Sequence, residues 1–562
     1  AQDGSGHAHR LKRKENAEGH GLTFEYYANG QVFRHTDDLG GTTAFRYNLF
    51  RRETVVTDER GLTRRYFFDR YGNPIETVDR DGVRETFAYD PDAPDLRTAH
   101  TDAAGLTTHY AYDTQGNLIR LTRPSGAEVA YSHDNGYRQP GKIIDENGHV
   151  TLNYYDSQGN LTEQLRLHAG IDRDPGDYTL IDGAITDLAG IAQWTRYQYD
   201  SHGNRIETQH IKTLGAGNTP IGPRYQVTYD TNSLYPIAIS RCGEADLNQD
   251  GQTEADECQS QTLTYDSLGR PTQGIDSAWY PTERQYDALG RPIRGSDPLG
   301  QPHDLRYDSD GRLRERQLTL GNTLIDSEQH RYDALGRLTE TIDAGGHATR
   351  YRYDAAGHLN RITDPDNYAL SLDYDARGHW QTARDQEGRS RRRSLDGKGR
   401  IRSRTDANGN TERFEYYGPE QDGRLYRHYD ALGRVEQFHY DSQGRVITVI
   451  DNEGHATHSR YDALGRIERI VQPGTTDTDP ESPTAGQTVY PVTRYRYNRL
   501  GHLTDIEAGY SLDPDHPEQD PLSLKQHNEH DDFGRLRHTT DALGRTQSYR
   551  YDAHDNVIES TD

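Results

Sequence analysis

The chain has 562 residues, of which only 31% are hydrophobic, and it carries 55 glycines, 39 tyrosines and a formal net charge of −25 at pH 7. So little apolar material argues against several dense cores, and so many tyrosines argue against a disordered chain. The negative charge argues against a nucleic-acid partner, because phosphate binding requires a clustered Lys/Arg surface. No stretch approaches the ~18 consecutive apolar residues of a membrane span.

The first 20 residues are polar, and we expect residues 1–20 to form a separate N-terminal segment. Residues 21–562 form one continuous repeat region, in which the hexapeptide YDALGR recurs at 286–291, 332–337, 429–434 and 461–466. Successive tyrosines of this phrase are spaced by 21, 25, 21 and 21 residues, at Tyr286, Tyr307, Tyr332, Tyr353 and Tyr374. A fixed period of this kind is typical of a repeat architecture rather than of several unrelated domains.

Each repeat contains two turn signals, since a second Asp-x-x-Gly follows the first after about ten residues, as in 333–336 and 343–346. The aspartate can accept hydrogen bonds from turn amides, and the glycine can take a positive φ. Between the turns, Tyr351-Arg352-Tyr353 places both tyrosines on one face of a strand. The sequence therefore predicts an all-β fold of consecutive hairpins.

Single hairpins are marginally stable, so we expect the repeats to pair edge to edge into one long strip. A strip of many strands twists and curls, which favours a hollow, barrel-like shell or a segment of one. The repeat pattern breaks near 166–196, 209–225, 233–262, 414–425, 471–494 and 508–530, which we interpret as insertions. Their Pro/Asp-rich parts suit the surface, because proline cannot donate a ladder hydrogen bond.

One insertion contains a candidate calcium loop. Positions 1, 3, 5, 7, 9 and 12 of an EF-hand loop are matched by Asp246, Asn248, Asp250, Gln252, Glu254 and Glu257, with Gly251 at position 6. These oxygen ligands suit Ca²⁺, and without a cation the carboxylates would repel one another. The surroundings have a β pattern, so we expect a calcium loop without flanking helices. An acidic surface insertion is the alternative.

The two cysteines of the chain, Cys242 and Cys258, bracket this loop. A disulfide between them would close about 15 residues, which is worth ~3 kcal/mol on the entropic model. Two free thiols are the alternative. A disulfide would indicate an oxidising compartment, and calcium would indicate an extracellular one.

The Tyr-Asp phrase with its downstream Gly-Arg resembles the YD repeat of the Rhs family, which is shared with the C component of bacterial Tc toxins and with teneurins. The resemblance extends from about Tyr26 to Tyr551. It implies a β-strip that spirals into a hollow cocoon around a C-terminal toxin. It also implies a secreted, extracellular or cell-surface protein of a Gram-negative bacterium, whose partners are its own toxin cargo and secretion-apparatus or shell-capping proteins.

The family's Asp-Pro-x-Gly-Leu self-cleavage motif is missing. The nearest string begins at Asp297 and ends with Gln301 in place of the leucine. We therefore expect cleavage and toxin to lie outside this sequence, which has the character of a segment of a longer chain.

No pattern of catalytic residues is evident, and we expect the protein not to be an enzyme. Its expected function is the encapsulating shell of a secreted Rhs-type toxin. The alternatives are a calcium-stiffened adhesion or carbohydrate-binding module, which the small number of tryptophans (three) argues against, and an enzyme with a cleft among the insertions.

Overall fold

The computed structural model describes most of the chain. The described residues are 11–15, 21–38, 40–58, 61–79, 82–133, 136, 138–175, 188, 190–215, 220–245, 254–275, 281–296, 300–320, 323–375, 378–516, 522–552 and 554–562, with only the backbone at 254–256 and 281. They divide into two compact units. Unit 1 comprises residues 1–110 and 282–433, and unit 2 comprises residues 111–281 and 434–562.

Unit 1 is built from two runs of strands. The first run is β1 (Arg13–Glu15), β2 (Gly21–Tyr26), β3 (Val32–Asp37), β4 (Thr42–Asn48), β5 (Glu53–Thr57), β6 (Thr63–Phe68), β7 (Pro74–Val78), β8 (Arg84–Tyr89), β9 (Arg97–Thr101) and β10 (Thr107–Tyr112). The second run is β24 (Pro281–Tyr286), β25 (Pro292–Ser296), β26 (Pro302–Tyr307), β27 (Leu313–Leu320), β28 (Thr323–Tyr332), β29 (Leu338–Ile342), β30 (Ala348–Tyr353), β31 (Leu359–Thr363), β32 (Ala369–Tyr374), β33 (Trp380–Asp385), β34 (Ser390–Leu395), β35 (Ile401–Thr405), β36 (Thr411–Tyr416) and β37 (Leu425–Tyr429), with a 3-10 turn at Pro419–Gln421.

Unit 2 also combines an early and a late run. The early run is β11 (Leu118–Thr122), β12 (Glu128–Ser132), β13 (Lys142–Ile144), β14 (Val150–Tyr155), β15 (Leu161–Leu167), β16 (Ile191–Tyr199), β17 (Arg205–His210), β18 (Thr213–Leu214), β19 (Pro220–Ile221), β20 (Arg224–Tyr229), β21 (Pro236–Ala245), β22 (Glu254–Tyr265) and β23 (Pro271–Ile275). The late run is β38 (Val435–Tyr440), β39 (Val446–Ile450), β40 (Ala456–Tyr461), β41 (Ile467–Val471), β42 (Thr475–Thr476), β43 (Thr488–Tyr497), β44 (Leu503–Ser511), β45 (Leu522–His530), β46 (Leu536–Asp541), β47 (Thr546–Tyr551) and β48 (Val557–Thr561).

Within each run, strands pair antiparallel with their neighbours along the chain, as β28 does with β29 and β29 with β30. Three short strands depart from this order. Strands β18 and β19 form a small sheet of their own, so that β17 pairs with β20, and β42 pairs with β43, which also pairs with β41. The predicted all-β fold of consecutive hairpins is confirmed. Strand β1 also shows that the polar N-terminal segment contributes residues 13–15 to the pairing.

The predicted alternation of faces is confirmed on β30. Tyr351 and Tyr353 are half-buried there, whereas Arg352 between them is exposed. A one-residue register shift lies just before Tyr353. The same shift precedes Tyr332 and Tyr461, so these three repeats carry a β-bulge at the tyrosine of their phrase.

The insertions mostly lengthen strands or cover the sheet. The 233–262 insertion extends β21 and β22 to 10 and 12 residues, against 5 or 6 in a regular repeat such as β29 and β30. The insertions at 166–196 and 209–225 contribute to a buried cluster in unit 2. This cluster consists of Val150, Leu152, Leu165, Leu167, Ile191, Trp194 and Ile211.

Elsewhere the chain buries little. Its accessible surface is 32228 Å², whereas two globular proteins of half this chain's mass would together expose about 24,000 Å². Hydrogen-bonded hairpins, rather than large apolar cores, therefore organise most of the structure.

Candidate functional site

The turn that begins at the aspartate of each Tyr-Asp phrase, here called the YD turn, is built by that aspartate. Asp333 Oδ1 accepts hydrogen bonds from the backbone N–H groups of Leu335 and Arg337 at 2.9 and 3.0 Å. Gly336 has a φ of +81°, which glycine adopts without a Cβ clash. The predicted turn is confirmed here and at the matching turns that begin at Asp266, Asp287, Asp354 and Asp462.

The second Asp-x-x-Gly of a repeat, here called the second turn, has the same construction. Asp343 Oδ1 accepts from the N–H groups of Gly345 and His347, both at 2.9 Å. These bonds, and one between the His347 imidazole and Oδ2, hold the pKa of Asp343 below its usual value. The many turn aspartates therefore have a structural explanation that involves no chemistry on a substrate.

The arginine of the phrase joins consecutive repeats. Arg337 donates from Nε to Asp333 Oδ2 at 2.8 Å, and its guanidinium carbon lies 4.7 Å from the centre of the Tyr353 ring. The Tyr353 hydroxyl in turn donates to the backbone carbonyl of Leu338 at 2.8 Å. We call this arrangement the Arg–Tyr contact. It recurs at Arg400 with Tyr416, Arg445 with Tyr461 and Arg535 with Tyr551, at 4.2, 4.7 and 5.1 Å.

Sequence reasoning missed this contact, although a signal for it exists. Arginine and tyrosine stand sixteen positions apart at 337 and 353, at 400 and 416, and at 445 and 461. One hairpin intervenes in sequence, so each contact fixes a YD turn against the following one.

In unit 1, turns that are distant in sequence also meet. Lys398, in the YD turn between β34 and β35, places Nζ 2.7 Å from Oδ2 of Asp102, in the second turn between β9 and β10. Partial burial raises the pKa of Asp102, but hydrogen bonds from Lys398 and from the amides of Leu106 and Ala104 outweigh it, and the net pKa is lowered. The ionised carboxylate is therefore the form that suits this contact.

Unit 2 repeats the pattern. Asn147 Nδ2 donates to Asp441 Oδ2 at 3.1 Å, and Gln443 Nε2 donates to Asp145 Oδ2 at 2.6 Å, across separations of 294 and 298 residues. Further along, Arg499 Nη1 donates to the carbonyl of Lys212 at 2.7 Å, across 287 residues. In each case a YD turn of the late run meets a second turn or an insertion of the early run. We call this row of contacts the seam of unit 2.

The last described part of that seam involves the hairpin of β21 and β22. Cys242 and Cys258 are directly opposite one another in this hairpin and form a disulfide, with a Cα–Cα distance of 4.1 Å. Cys242 is buried and Cys258 is exposed. The strands of this hairpin are longer than those of a regular repeat, and the hairpin contacts the YD turn at 531–535.

Asp532 is the central side chain of this contact. Its N–H donates to the carbonyl of Glu244, and its Oδ2 accepts from the Glu244 N–H, both at 3.0 Å. Lys212 Nζ lies 3.0 Å from Asp532 Oδ1 and 3.1 Å from Glu244 Oε2. Burial lowers the pKa of Lys212, but its bonds to Asp532 and Glu244 outweigh this, so its pKa is raised and it stays charged.

The predicted calcium ligands fall largely outside the described residues. Asp246, Asn248, Asp250 and Gln252 lie there entirely, and only the backbone of Glu254 is described. Glu257 lies on β22 opposite Gly243. The loop is flanked by β21 and β22, as expected for a calcium loop without helices. Within the described part of the chain, no group of three or more His, Cys, Asp or Glu side chains is arranged to hold a metal ion.

The two tryptophans among the described residues do not form a groove. Trp194 is fully buried and donates from Nε1 to Glu163 Oε2 at 3.0 Å. Burial raises the pKa of Glu163 even though Arg196 and Trp194 oppose the shift. Trp380 is covered by the Arg393 guanidinium at 4.0 Å, and Trp279 lies outside the described residues.

Two further features of the sequence are a basic stretch and an Asp-Pro string. Arg389, the first residue of the basic sequence RSRRR at 389–393, binds Asp385 at 2.6 Å and Glu387 at 2.7 Å. The Asp-Pro string at 297–299 lies outside the described residues. Among the described residues, no helix has the length and apolar character needed to cross a membrane.

Comparison with known proteins identifies the repeat. The family model described as RHS Repeat matches residues 92–128, 332–369, 420–456, 440–477 and 530–562. No curated protein matches the chain.

Among solved structures, similar chains occur in a TcdB2-TccC3-Cdc42 crystal structure (13% identity, 97% of this chain, 31% of that chain, TM-score 0.44), in the Tc holotoxin pore of Photorhabdus luminescens with a TccC3 variant (12%, 97%, 30%, 0.45), and in a TcdB2-TccC3 crystal structure (14%, 92%, 35%, 0.44). This chain thus spans about a third of the length of those solved chains. The matches of the repeat model, spread from residue 92 to residue 562, agree with the Tyr-Asp phrases and their turns: the chain contains repeats of the Rhs type.

Proposed function

We propose that this chain is a structural wall, the encapsulating shell of a secreted bacterial Rhs-type toxin, and that it encloses a C-terminal toxin domain. The observation that carries the proposal is that two kinds of contact hold the hairpins in place. The Arg–Tyr contacts join successive repeats along the strip, and in each unit YD turns also meet second turns or insertions almost 300 residues away.

These contacts have the character expected of a wall. Neighbouring hairpins are already joined by main-chain hydrogen bonds. Gaps in the wall can therefore arise only along the two edges of the strip, where the turns lie. Lys398 with Asp102, and Gln443 with Asp145, place hydrogen-bonded side chains at those edges. A ligand-binding protein needs a pocket, whereas an enclosing protein needs joints of this kind along its whole length.

We also infer that the wall acts structurally and not as an enzyme. The carboxylates with lowered pKa values, such as Asp343 and Asp354, are engaged by amides and side chains of their own turns. A buried carboxylate with a raised pKa, Glu163, is held between Arg196 and Trp194 beneath the cluster of unit 2. Packing explains each of these groups.

The partners we propose are the chain's own toxin cargo and the secretion-apparatus or capping proteins that go with such a shell. An extracellular location suits the disulfide, because disulfides persist in oxidising compartments. We propose further that the 246–257 loop binds Ca²⁺ through the six side chains named above, and that the ion stiffens the tip of the disulfide hairpin. The support for calcium is the match of the sequence to the loop pattern.

The proposal is tested by cryo-electron microscopy of this chain and of the longest natural chain that contains it. We expect density for an enclosed body only in the longer protein. Limited proteolysis supplies a second measurement: the additional domain should resist cleavage until the wall is denatured. A longer protein whose extra domain lies outside the wall, and is digested at once, would contradict the proposal.

A further inference from the structure

Two histidines replace the Arg–Tyr contact at one joint of unit 2. His502 follows the glycine of its turn, where the repeats that form the Arg–Tyr contact have arginine, and His530 stands where those repeats have tyrosine, as in Arg535 with Tyr551. The two imidazole rings are in contact, with centroids 5.1 Å apart.

Both imidazoles lack the partner that a charged ring would need. The turn before His502 begins with Asn498 instead of aspartate, and Asn498 Oδ1 accepts only from the His502 backbone N–H, at 3.0 Å. The Nδ1 atoms of His502 and His530 are buried and have no hydrogen-bond partner in the structure. By contrast, His358 in unit 1 occupies the position of His502 in its own repeat and places Nδ1 3.1 Å from Asp354 Oδ2.

The histidine pair is adjacent to the turn at 531–535, which contacts the disulfide hairpin. A Cβ added to Gly534 would lie 2.9 Å from His502 Nε2, so the ring is packed against that turn. On the hairpin side, a Cβ added to Gly243 would lie 2.6 Å from the Cβ of Asp532. Displacement of the turn by even a few tenths of an ångström therefore affects the contact with the hairpin.

The charged groups around the pair are already matched to one another. Asp531 accepts from Arg535 Nε at 2.6 Å, and Asp532 is bound by Lys212. From the hairpin, Arg241 donates to the carbonyl of Phe533, and its guanidinium carbon lies 4.4 Å from the Phe533 ring.

Two further carboxylates complete the surroundings. Asp555 approaches Arg241 at 3.9 Å and Arg535 at 3.4 Å, and Glu244 is bound by Lys212 at 3.1 Å. New positive charge on the imidazoles would compete with existing ion pairs and would add to the charge of Arg241.

These surroundings favour neutral imidazoles. Burial lowers the pKa of His530, and burial, His530 and Arg241 together lower the pKa of His502, although Asp531 and Asp532 oppose the shift. A group with a lowered folded-state pKa takes up its proton more readily when the contact is open. The contact is therefore favoured above the ordinary histidine pKa of about 6.5 and weakens as pH falls from there toward the lowered values.

We propose that the His502–His530 pair is a pH-sensitive latch, and that its protonation in mildly acidic solution releases the disulfide hairpin from the turn at 531–535. The release opens this part of the seam and leaves the hairpins themselves intact. The inference stands on contacts within unit 2 and does not depend on what the wall encloses.

Hydrogen exchange of the intact chain tests the latch, because the amides of Glu244 and Asp532 are protected only while the contact is closed. Exchange of peptides covering 241–245 and 530–535 is measured from pH 7.5 to 5.0 and corrected for the intrinsic pH dependence. We expect the corrected opening to rise several-fold below pH 6.5, since each unit of pKa depression is worth about tenfold per histidine. Opening that does not change with pH would overturn the proposal.

The decisive variant is His502→Asn with His530→Asn, which removes both titrating rings. Its opening should no longer rise below pH 6.5, and a rise equal to that of the unaltered chain would overturn the proposal. If this variant is disordered at pH 7.5, the single change His530→Tyr, which supplies the residue usual at that position, should still reduce the rise. His358→Asn is the matched control, because His358 faces a carboxylate in unit 1, and it should leave the rise at 241–245 unchanged. Gly243→Ala should open the contact at every pH.

Discussion

The guanidinium of Arg337 lies 4.7 Å from the ring of Tyr353, and the Tyr353 hydroxyl donates to the carbonyl of the residue that follows Arg337. One arginine and one tyrosine thereby connect two YD turns that are separated by a complete hairpin. Because the arginine is also bound to Asp333, its position is fixed from both sides.

Loss of the arginine should weaken this joint. Arg337→Gln removes both the ion pair with Asp333 and the contact with the Tyr353 ring, and we expect a loss of about 1–2 kcal/mol in the free energy of local unfolding. Hydrogen exchange of residues 331–342 measures it. The control is Arg352→Gln on the exposed face of β30, which should change the value by less than about 0.5 kcal/mol. Equal effects of the two changes would contradict the role given to Arg337.

The tyrosine hydroxyl makes a separate contribution. Tyr353→Phe deletes the hydrogen bond to Leu338 and keeps the ring, so we expect destabilisation by about 0.5–1.5 kcal/mol. Tyr351→Phe is the matched control, since Tyr351 is half-buried on the same strand and the described structure gives its hydroxyl no hydrogen bond. Thermal unfolding of the two variants should therefore differ, with the lower midpoint for Tyr353→Phe.

The turn glycine should matter more than the apolar residue before it. Gly336→Val introduces a branched side chain at a φ of +81°, where an added Cβ also lies 3.0 Å from Arg312 Nη1. The left-handed conformation alone costs roughly 1–2 kcal/mol for a residue with a Cβ. Leu335→Ala removes a side chain that is 38% exposed and should cost less. Equal melting temperatures would show that the turn does not require glycine.

Acid should destabilise the turns in a defined range. Desolvation raises the pKa of Asp200, but hydrogen bonds from the Asn204 side chain and from the amides of Asn204 and His202 outweigh it and lower the pKa to about 2. Its contribution is therefore present above about pH 4, the usual value, and is lost as pH falls toward 2. Asp200→Asn should reduce the slope of unfolding free energy against pH in this range. Asp326→Asn, on an exposed stretch of β28, is the control.

Calcium removal should affect the disulfide hairpin. If the 246–257 loop holds Ca²⁺, chelation with EDTA should lower the melting temperature modestly and raise hydrogen exchange in residues 246–257, since the ion stabilises only the form that binds it. Asp246→Asn with Asp250→Asn should abolish both effects. A chain that shows no response to EDTA and no calcium uptake by calorimetry would rule out the site.

Interactions between residues close in sequence could be predicted from the sequence, and those between distant residues could not. The YD turn was predictable because Asp333 bonds to amides two and four residues ahead, and the faces of β30 were predictable because alternation is local. The Arg–Tyr contact requires knowing that strands β29 and β30 pair in register between its partners. The contact of Lys398 with Asp102 depends on the accumulated curvature of many strands, to which each residue adds only a small twist.

The seam of unit 2 restricts how the number of strands in the chain can change. YD turns and second turns alternate between the two edges of the strip, and Asp441 and Gln443 in a YD turn meet Asp145 and Asn147 in a second turn. Adding or removing one strand would place a second turn where a YD turn is needed for these contacts. Adding two strands would again place a YD turn opposite a second turn, one repeat later. The insertions at 233–262 and 508–530 satisfy this condition, because they lengthen existing strands and leave the number of strands unchanged. Such a chain can grow in length freely, but it can change its strand number only in twos.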